Sequence, residues 1–234
     1  MSMNDLEIQE FERRFAIEYD GIGDFHSGIA VVDRDGKYGA INKKGKIVIP
    51  LIYDYISDFS DNLAVAYIDD KGGFINTKGK QTGPMIYDDI CGEFFNGFIK
   101  VCINGKFGFV NKMGELAVQC IYDKVKDFTN GMARVIINEK YGFVNMTGEL
   151  AIPAIYDGAG DFTDGESIVR QGKKWGIINK EGGIVIDIKY EEIYGMVKNH
   201  YIILKINGGM ARMNYSGRVL SYKELEDIHY RKSK

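Results

Sequence analysis

The side chains able to do chemistry here are few, and their spacing tests each chemistry in turn. His26, His200 and His229 are the three histidines. None lies near a recurring Cys, Ser or carboxylate at the spacing of a metal site or a nucleophilic triad. His26 occupies a slot filled elsewhere by Ser60, Thr129 and Thr163, which reads as a surface loop. Cys91, Cys102 and Cys120 are odd in number and form no CxxC pair. They read as small reduced residues rather than a disulfide framework. No phosphate-cradling Gly-x-x-x-x-Gly-Lys-Ser/Thr loop is present. Acid–base catalysis needs a placed titrating group, so the expectation is a protein that is not an enzyme and takes no cofactor or metal.

Two recurring residue types invite a different chemistry. Asp20, Asp54, Asp88, Asp123 and Asp157 suggest calcium, but calcium needs several oxygens converging on one ion. A whole repeat separates each Asp from the next, so the better account is capping of turns or backbone by the carboxylate. Aromatic residues before a glycine, Tyr38, Phe107, Tyr141 and Trp175, suggest a stacking ladder for sugars. The chain has one Trp, and aromatics carry large burial energies. Core packing is the expected role of these four.

The elements that must position these residues follow from one repeated sentence, KDFTNGMARVIINEKYGFVNMTGELAIPAIYDGA, at 126–159. Its Tyr156-Asp157 recurs as Tyr19-Asp20, Tyr53-Asp54, Tyr87-Asp88, Tyr122-Asp123 and Tyr190-Glu191, 34 or 35 residues apart. A fixed period of that size defines a repeat array. Residues 1–15 form a charged lead-in with a short helix expected in LEIQEFERRF. A single array then spans 16–228, with repeats at about 23–56, 57–90, 91–125, 126–159 and 160–193, a degenerate sixth at 194–228 and a tail at 229–234.

Three short strands are expected per repeat. Alternation assigns Ala30/Val32, Ala64/Ala66, Ile99/Val101, Ala133/Val135 and Ser167/Val169 of the first strand to the core. The second strand carries the aromatic-glycine pair and closes on Asn42, Asn76, Asn111, Asn145, Asn179 or Asn214. A glycine follows three residues later in every case. Asn folds back on the backbone and Gly takes positive φ, the chemistry of a tight turn. The third strand, such as Leu150-Ala151-Ile152, is followed by Pro50, Pro84 or Pro153, which should end it or mark an edge.

Lys174-Trp175-Gly176-Ile177-Ile178-Asn179-Lys180-Glu181-Gly182 and Lys140-Tyr141-Gly142-Phe143-Val144-Asn145, each followed by a Tyr-Asp/Glu unit, resemble the WG-repeat, or KWG-repeat, family. The resemblance covers roughly residues 16–228. It departs at the second repeat, with Gly72-Gly73, and at the sixth, with Met210-Ala211. The resemblance implies a mainly bacterial binding or interaction module without shared catalytic residues.

The expected fold is therefore all-β, an open or spiral array of three-stranded antiparallel units, with a closed propeller-like ring as the alternative. Units this small must share their core with neighbours. The net charge of −3 with dispersed Lys and Arg argues against nucleic acid. No apolar run reaches the 18 or more residues of a membrane span, and the charged N-terminus lacks a signal-peptide core. A cytoplasmic location is expected, with a secreted or envelope one as the alternative had a leader preceded the sequence.

The function expected is a scaffold that binds a protein or peptide, with a cell-envelope glycan or small ligand as the alternative. The candidate partner-binding residues are Lys100, Arg134, Ile136, Glu166 and Arg170, on the mixed face of the first strands. The second repeat, lacking its aromatic at Gly72 and carrying Gln81 and Gly83 in its third strand, is a candidate notch for a partner's side chain. Exposed edge strands leave an edge-paired homodimer open.

Overall fold

The computed structural model describes residues 18–197, 201–206, 209–214, 218 and 220. The expected lead-in helix, the tail and the Leu225-Glu226 pair lie outside the described residues. Among the described residues all regular structure is β, arranged as six small antiparallel sheets in tandem.

Two compact units hold them, residues 1–121 and 122–234. In the first unit, sheet one is β1 (Gly21–His26), β2 (Ile29–Arg34), β3 (Lys37–Asn42) and β4 (Ile47–Tyr53). Sheet two is β5 (Tyr55–Ile56), β6 (Leu63–Ile68) and β7 (Lys71–Asn76). Sheet three is β8 (Asp89–Phe95), β9 (Phe98–Ile103), β10 (Lys106–Asn111) and β11 (Leu116–Tyr122). In the second unit, sheet four is β12 (Lys124–Val125), β13 (Met132–Ile137), β14 (Lys140–Asn145) and β15 (Ile152–Tyr156). Sheet five is β16 (Gly158–Ala159), β17 (Glu166–Gln171), β18 (Lys174–Asn179) and β19 (Ile184–Tyr190). Sheet six is β20 (Glu192–Val197), β21 (Tyr201–Ile206) and β22 (Gly209–Met213). Every sheet is a meander whose strand order is the chain order.

The three expected strands are present in most units, and the structure adds a fourth. The extra strand is the connector after Tyr-Asp, which pairs with the following strand, as Gly21↔Asp33 and Lys124↔Ile136 do. Tyr thus ends the outer strand of one sheet, Asp is the junction, and the next residue opens a new sheet. Proline behaves as an edge residue without ending its strand. Pro50 lies within β4 and Pro153 within β15, both outermost, where a missing N–H breaks no ladder.

Each Asn-x-x-Gly closes a turn through one oxygen. Asn42 Oδ1 accepts from the amides of Lys44 at 2.9 Å and Lys46 at 3.1 Å. Asn76, Asn111, Asn145 and Asn179 repeat this pair of bonds. The glycine amide donates to the Asn carbonyl, as Gly45 does at 2.8 Å, and its φ of 78° is one that L residues resist.

The core lies between sheets. All ten alternating positions, from Ala30 and Val32 to Ser167 and Val169, are buried, and the Ser167 hydroxyl is satisfied by donating to the Gly160 carbonyl at 2.9 Å. The opposite face is covered as well. Ile29, Ala40, Ile49 and Tyr53 of sheet one pack on Ala64, Ala66 and Ile75 of sheet two. Leu63, Phe74 and Tyr87 on the other side of sheet two pack on Ile99, Val101 and Val110 of sheet three. In the second unit, sheet four shares a cluster with Phe162, Val169 and Ile178 of sheet five. Ile177, Ile186 and Tyr190 meet Ile202, Leu204 and Met213 of sheet six. Consecutive buried residues such as Gly39-Ala40-Ile41 are what a strand covered on both faces requires.

The glycine of the aromatic-glycine pair is demanded by space, not by φ. Opposite Gly39 the outer strand shifts register, with Tyr38↔Tyr53 followed by Ala40↔Ile49. The bulge pushes the Ile49 carbonyl inward, and a Cβ on Gly39 would sit 2.6 Å from that oxygen. The equivalent carbonyl faces Gly142 at 2.7 Å and Gly176 at 2.6 Å, and Val118 O crowds Gly108 likewise. At Gly160, by contrast, the nearest atom an added Cβ would meet is Ile168 O, at 3.8 Å. Gly142→Ala should therefore cost about 1–3 kcal/mol through overpacking, whereas Gly160→Ala should fall within about 0.5 kcal/mol of wild type. Urea denaturation midpoints of the two variants check this.

Candidate functional site

Three junction aspartates, Asp54, Asp88 and Asp157, each gather three bonds. The backbone amide of each donates into the next sheet: Asp54 N to Tyr67 O at 2.8 Å, Asp88 N to Cys102 O at 2.9 Å and Asp157 N to Arg170 O at 2.8 Å. Its Oδ2 accepts the turn amide of that sheet's central hairpin. These are Asp69 N on Asp54 at 2.8 Å, Asn104 N on Asp88 at 2.5 Å and Gly172 N on Asp157 at 2.6 Å. Asp20 and Asp123 cap Asp35 and Asn138 in the same way. Its Oδ1 takes the lysine that opens the aromatic-glycine strand of the preceding sheet: Lys37 on Asp54 at 2.5 Å, Lys71 on Asp88 and Lys140 on Asp157. The carboxylate thus ties two sheets together and holds a turn, which is the backbone-capping role anticipated for it. The lysine hydrogen bond first, then the turn amide, holds the Asp54, Asp88 and Asp157 carboxyls below the usual range.

The aromatic slots are shallower than expected. Tyr38, Phe107, Tyr141 and Trp175 are half-buried. Deeply buried rings include Tyr53, Tyr87, Tyr122, Tyr156 and Tyr190 of the junctions, Phe59, Phe128 and Phe162 of the connectors, and Phe74, Phe109 and Phe143, which follow the aromatic slot by two residues. The cause is strand position. The junction tyrosine points inward between sheets, while its partner across the ladder, as in Trp175↔Tyr190, lies at the rim. Arginine covers two of the rim rings: Arg134 stands 5.8 Å from the Tyr141 centroid and Arg170 5.6 Å from Trp175.

The five mixed-face residues are all half-buried. Arg134 donates to the Ala159 carbonyl and pairs with Asp161 at 3.2 Å. Arg170 donates to Asp157 O at 2.5 Å and Gly172 O at 2.6 Å. Lys100 lies opposite Phe109 and Cys91, and Glu166 opposite Asn179. Ile136 lines a shallow cavity of about 300 Å³ with Asp123, Lys124, Glu139 and Tyr141. The five are distributed over three sheets, Lys100 in β9, Arg134 and Ile136 in β13, and Glu166 and Arg170 in β17.

The position expected to open a notch is filled. Tyr67 lies directly across the hairpin from Gly72, and a Cβ there would meet the Tyr67 ring and Ile90 Cδ1 at 2.9 Å. The Tyr67 hydroxyl accepts from Ile90 N at 3.0 Å. Gly83 abuts the Gly114 carbonyl, 2.7 Å from where its Cβ would be. Gln81 is exposed and retains one bridge to Ile75, so the fourth strand of sheet two is reduced to isolated bridges at Gln81 and Tyr87.

An outward row of isoleucines was missed. Ile52, Ile86, Ile121 and Ile155, each just before the buried junction tyrosine, are 48%, 42%, 56% and 51% exposed. Pro50, Pro84 and Pro153 lie two residues before three of these isoleucines, and all three prolines are exposed. Alternation alone carried the signal, since a neighbour of an inward tyrosine must point outward. The fifth sheet replaces this pair with Asp187 and Lys189, ion-paired at 2.8 Å.

Burial pushes the Cys91 and Cys120 thiols up to about 11, so they stay protonated and weakly nucleophilic at neutral pH. Burial also raises the Tyr53, Tyr87, Tyr122 and Tyr156 phenols. Among the described residues no group of three His, Cys, Asp or Glu converges as a metal site would need.

Tandem antiparallel sheets sharing a core, joined by a Tyr-Asp unit and a Lys-aromatic-Gly strand, define a β-repeat protein. The WG containing repeat profile matches residues 14–38, 38–71, 73–107, 107–141, 141–175 and 175–209. The chain belongs to that family. No curated protein matches it. A crystal structure of the eukaryotic initiation factor is similar at 14% identity and TM-score 0.43, covering 83% of this chain; the chain spans 63% of that one. Kluyveromyces lactis Hsv2p is similar at 11% identity and TM-score 0.36, with 88% of this chain and 76% of that chain covered. A Bacteroides caccae protein of unknown function is similar at 13% identity and TM-score 0.28, covering 79% of this chain and 88% of that chain.

The junction carboxylates make stability pH-dependent in one direction. The folded pKa values of Asp54, Asp88 and Asp157 lie below the unfolded ones, so their contribution is complete above about pH 4–5 and is lost as pH falls through the folded values. An Asp54→Asn/Asp88→Asn/Asp157→Asn variant should melt below wild type at pH 7, with the gap closing in acid. Melting curves between neutral and acid pH check this.

Proposed function

We propose that this chain is a non-catalytic repeat module that holds a protein partner on the outward side of its outer strands. The carrying observation is the exposed isoleucine just before four junction tyrosines, Ile52, Ile86 and Ile121 in the first unit, repeated as Ile155 in the second. Apolar residues kept outward at one register, beside an inward core that already satisfies the fold, mark a contact surface. Pro50 and Pro84 remove amides from the same edges, so a partner reads side chains there and does not add as a strand. The same prolines weigh against a homodimer formed by edge pairing. The junction carboxyls shift downward and the buried thiols and phenols upward, all away from neutrality, which supports a role without acid–base catalysis.

A second reading, a small flat ligand such as a sugar ring, draws on one feature. Tyr55, 47% exposed, lies between Tyr38 and Tyr67 with ring centroids 5.8 and 6.3 Å apart. Such a row offers faces for stacking.

One quantitative capture experiment separates these readings. Wild type is compared with Ile52→Lys/Ile86→Lys/Ile121→Lys and with Arg134→Glu/Arg170→Glu. The isoleucine variant should keep its melting temperature and lose a captured protein by at least about tenfold. Equal capture by the isoleucine variant contradicts the outer-strand surface, and loss confined to the arginine variant places the contact on the mixed face. No capture by wild type contradicts a protein partner, and a shift in near-UV circular dichroism on adding oligosaccharide then favours the tyrosine row.

A further inference from the structure

The Asn-x-x-Gly turns share one backbone and differ sharply in charge. In sheets three and four the residue four after Asn is Glu115 or Glu149, and each accepts from the Asn side-chain amide, at 2.9 and 3.1 Å. In sheets one and two the same position holds Lys46 and Lys80, and the position two after Asn holds Lys44 and Lys78. All four lysines carry their charge at the surface of the turn, where the bonds their amides make are exposed. The Lys46 and Lys80 amides make the same Asn bond as those of Glu115 and Glu149, and the Lys44 and Lys78 amides the same bond as those of Met113 and Thr147, so the turn keeps its backbone while its charge changes from acidic to basic.

The two cationic turns are neighbours. Gly79, between Lys78 and Lys80, approaches Ile49 of β4, with its Cβ position 3.3 Å from Ile49 Cγ1. Ile47, next to Lys46 at the start of that strand, is 45% exposed. The second turn thus packs on β4 two residues from the exposed Ile47 and its neighbour Lys46, and β4 continues through the exposed Pro50 and Ile52. By contrast, Lys112 in the third turn is neutralised by its ion pair with Asp61.

We propose that Lys44, Lys46, Lys78 and Lys80, around Ile47, form the docking surface for an acidic segment of a partner protein, one carrying apolar residues among its carboxylates. Four cations with an apolar centre attract and then seat such a segment. Nucleic acid fits less well, since no aromatic ring lies among the five residues to stack a base. The proposal rests on the reading of this chain as a protein-holding module and specifies the partner's chemistry.

The test is fluorescence anisotropy of a labelled peptide of alternating glutamate and leucine, titrated with the full chain at low and physiological salt. The variant Lys44→Glu/Lys46→Glu/Lys78→Glu/Lys80→Glu copies, at positions 46 and 80, the glutamates of sheets three and four, and a melting curve verifies that it folds. A matching Lys→Gln set serves if the reversed one does not. Binding by wild type that weakens at least about tenfold on reversal, and weakens with salt, is the expected result. Absent binding, equal affinity in the variant, or tighter binding of a labelled single-stranded oligonucleotide overturns the proposal. If the peptide fails while the Ile52/Ile86/Ile121 variant still loses its captured protein, the acidic segment alone is removed. The converse removes the outer-strand reading alone.

Discussion

The junction aspartate is the constraint on which each unit depends. One residue satisfies an otherwise open hairpin turn, fixes the first pairing of a new sheet through its own amide, and anchors a lysine from the sheet before it. The tyrosine beside it is buried between sheets, so the pair joins a polar tie at the rim to an apolar anchor in the core. Neither works within one repeat alone. A sheet of three or four short strands exposes both faces, and its stability comes from the neighbours that cover them.

The Lys-aromatic-Gly strand follows from that arrangement. Lys reaches the next junction, the aromatic meets the junction tyrosine across the ladder, and Gly admits the carbonyl of the bulged outer strand. The bulge and the glycine are one feature seen from two strands, and the proline of the outer strand sits within it. A side chain on the glycine would push the outer strand off the sheet, taking the buried tyrosine with it.

Much of this was legible in the residues themselves. The ten core positions followed from alternation, the turns from Asn-x-x-Gly, and the capping by Asp from a spacing unsuited to calcium. The fourth strand was not legible because connectors such as Gly21-Ile22-Gly23-Asp24 carry too little alternation to read as a strand. The aromatic depths differ from expectation because size alone says nothing about rim or centre; the register that pairs Trp175 with Tyr190 decides it. The gap at Gly72 looked open because its filler, Tyr67, is five residues upstream and meets it only once the hairpin pairing is known. The outward isoleucines were plain in the repeat, four times at one position before the junction tyrosine, where alternation turns them away from the core.

The frame being constant, differences between repeats concentrate where the frame does not need them: in turn side chains, outer-strand faces and rim arginines. The claim beneath this picture is that the junction carboxylates hold the hairpin turns. The direct measurement is amide hydrogen exchange at Asp69, Asn104 and Gly172, in wild type and in Asp88→Ala. The account predicts slow exchange at all three in wild type, although the turns are exposed, and faster exchange at Asn104 alone in the variant. Exchange at the rate of an open turn in wild type, or an Asn104 amide indifferent to the loss of Asp88, would contradict it.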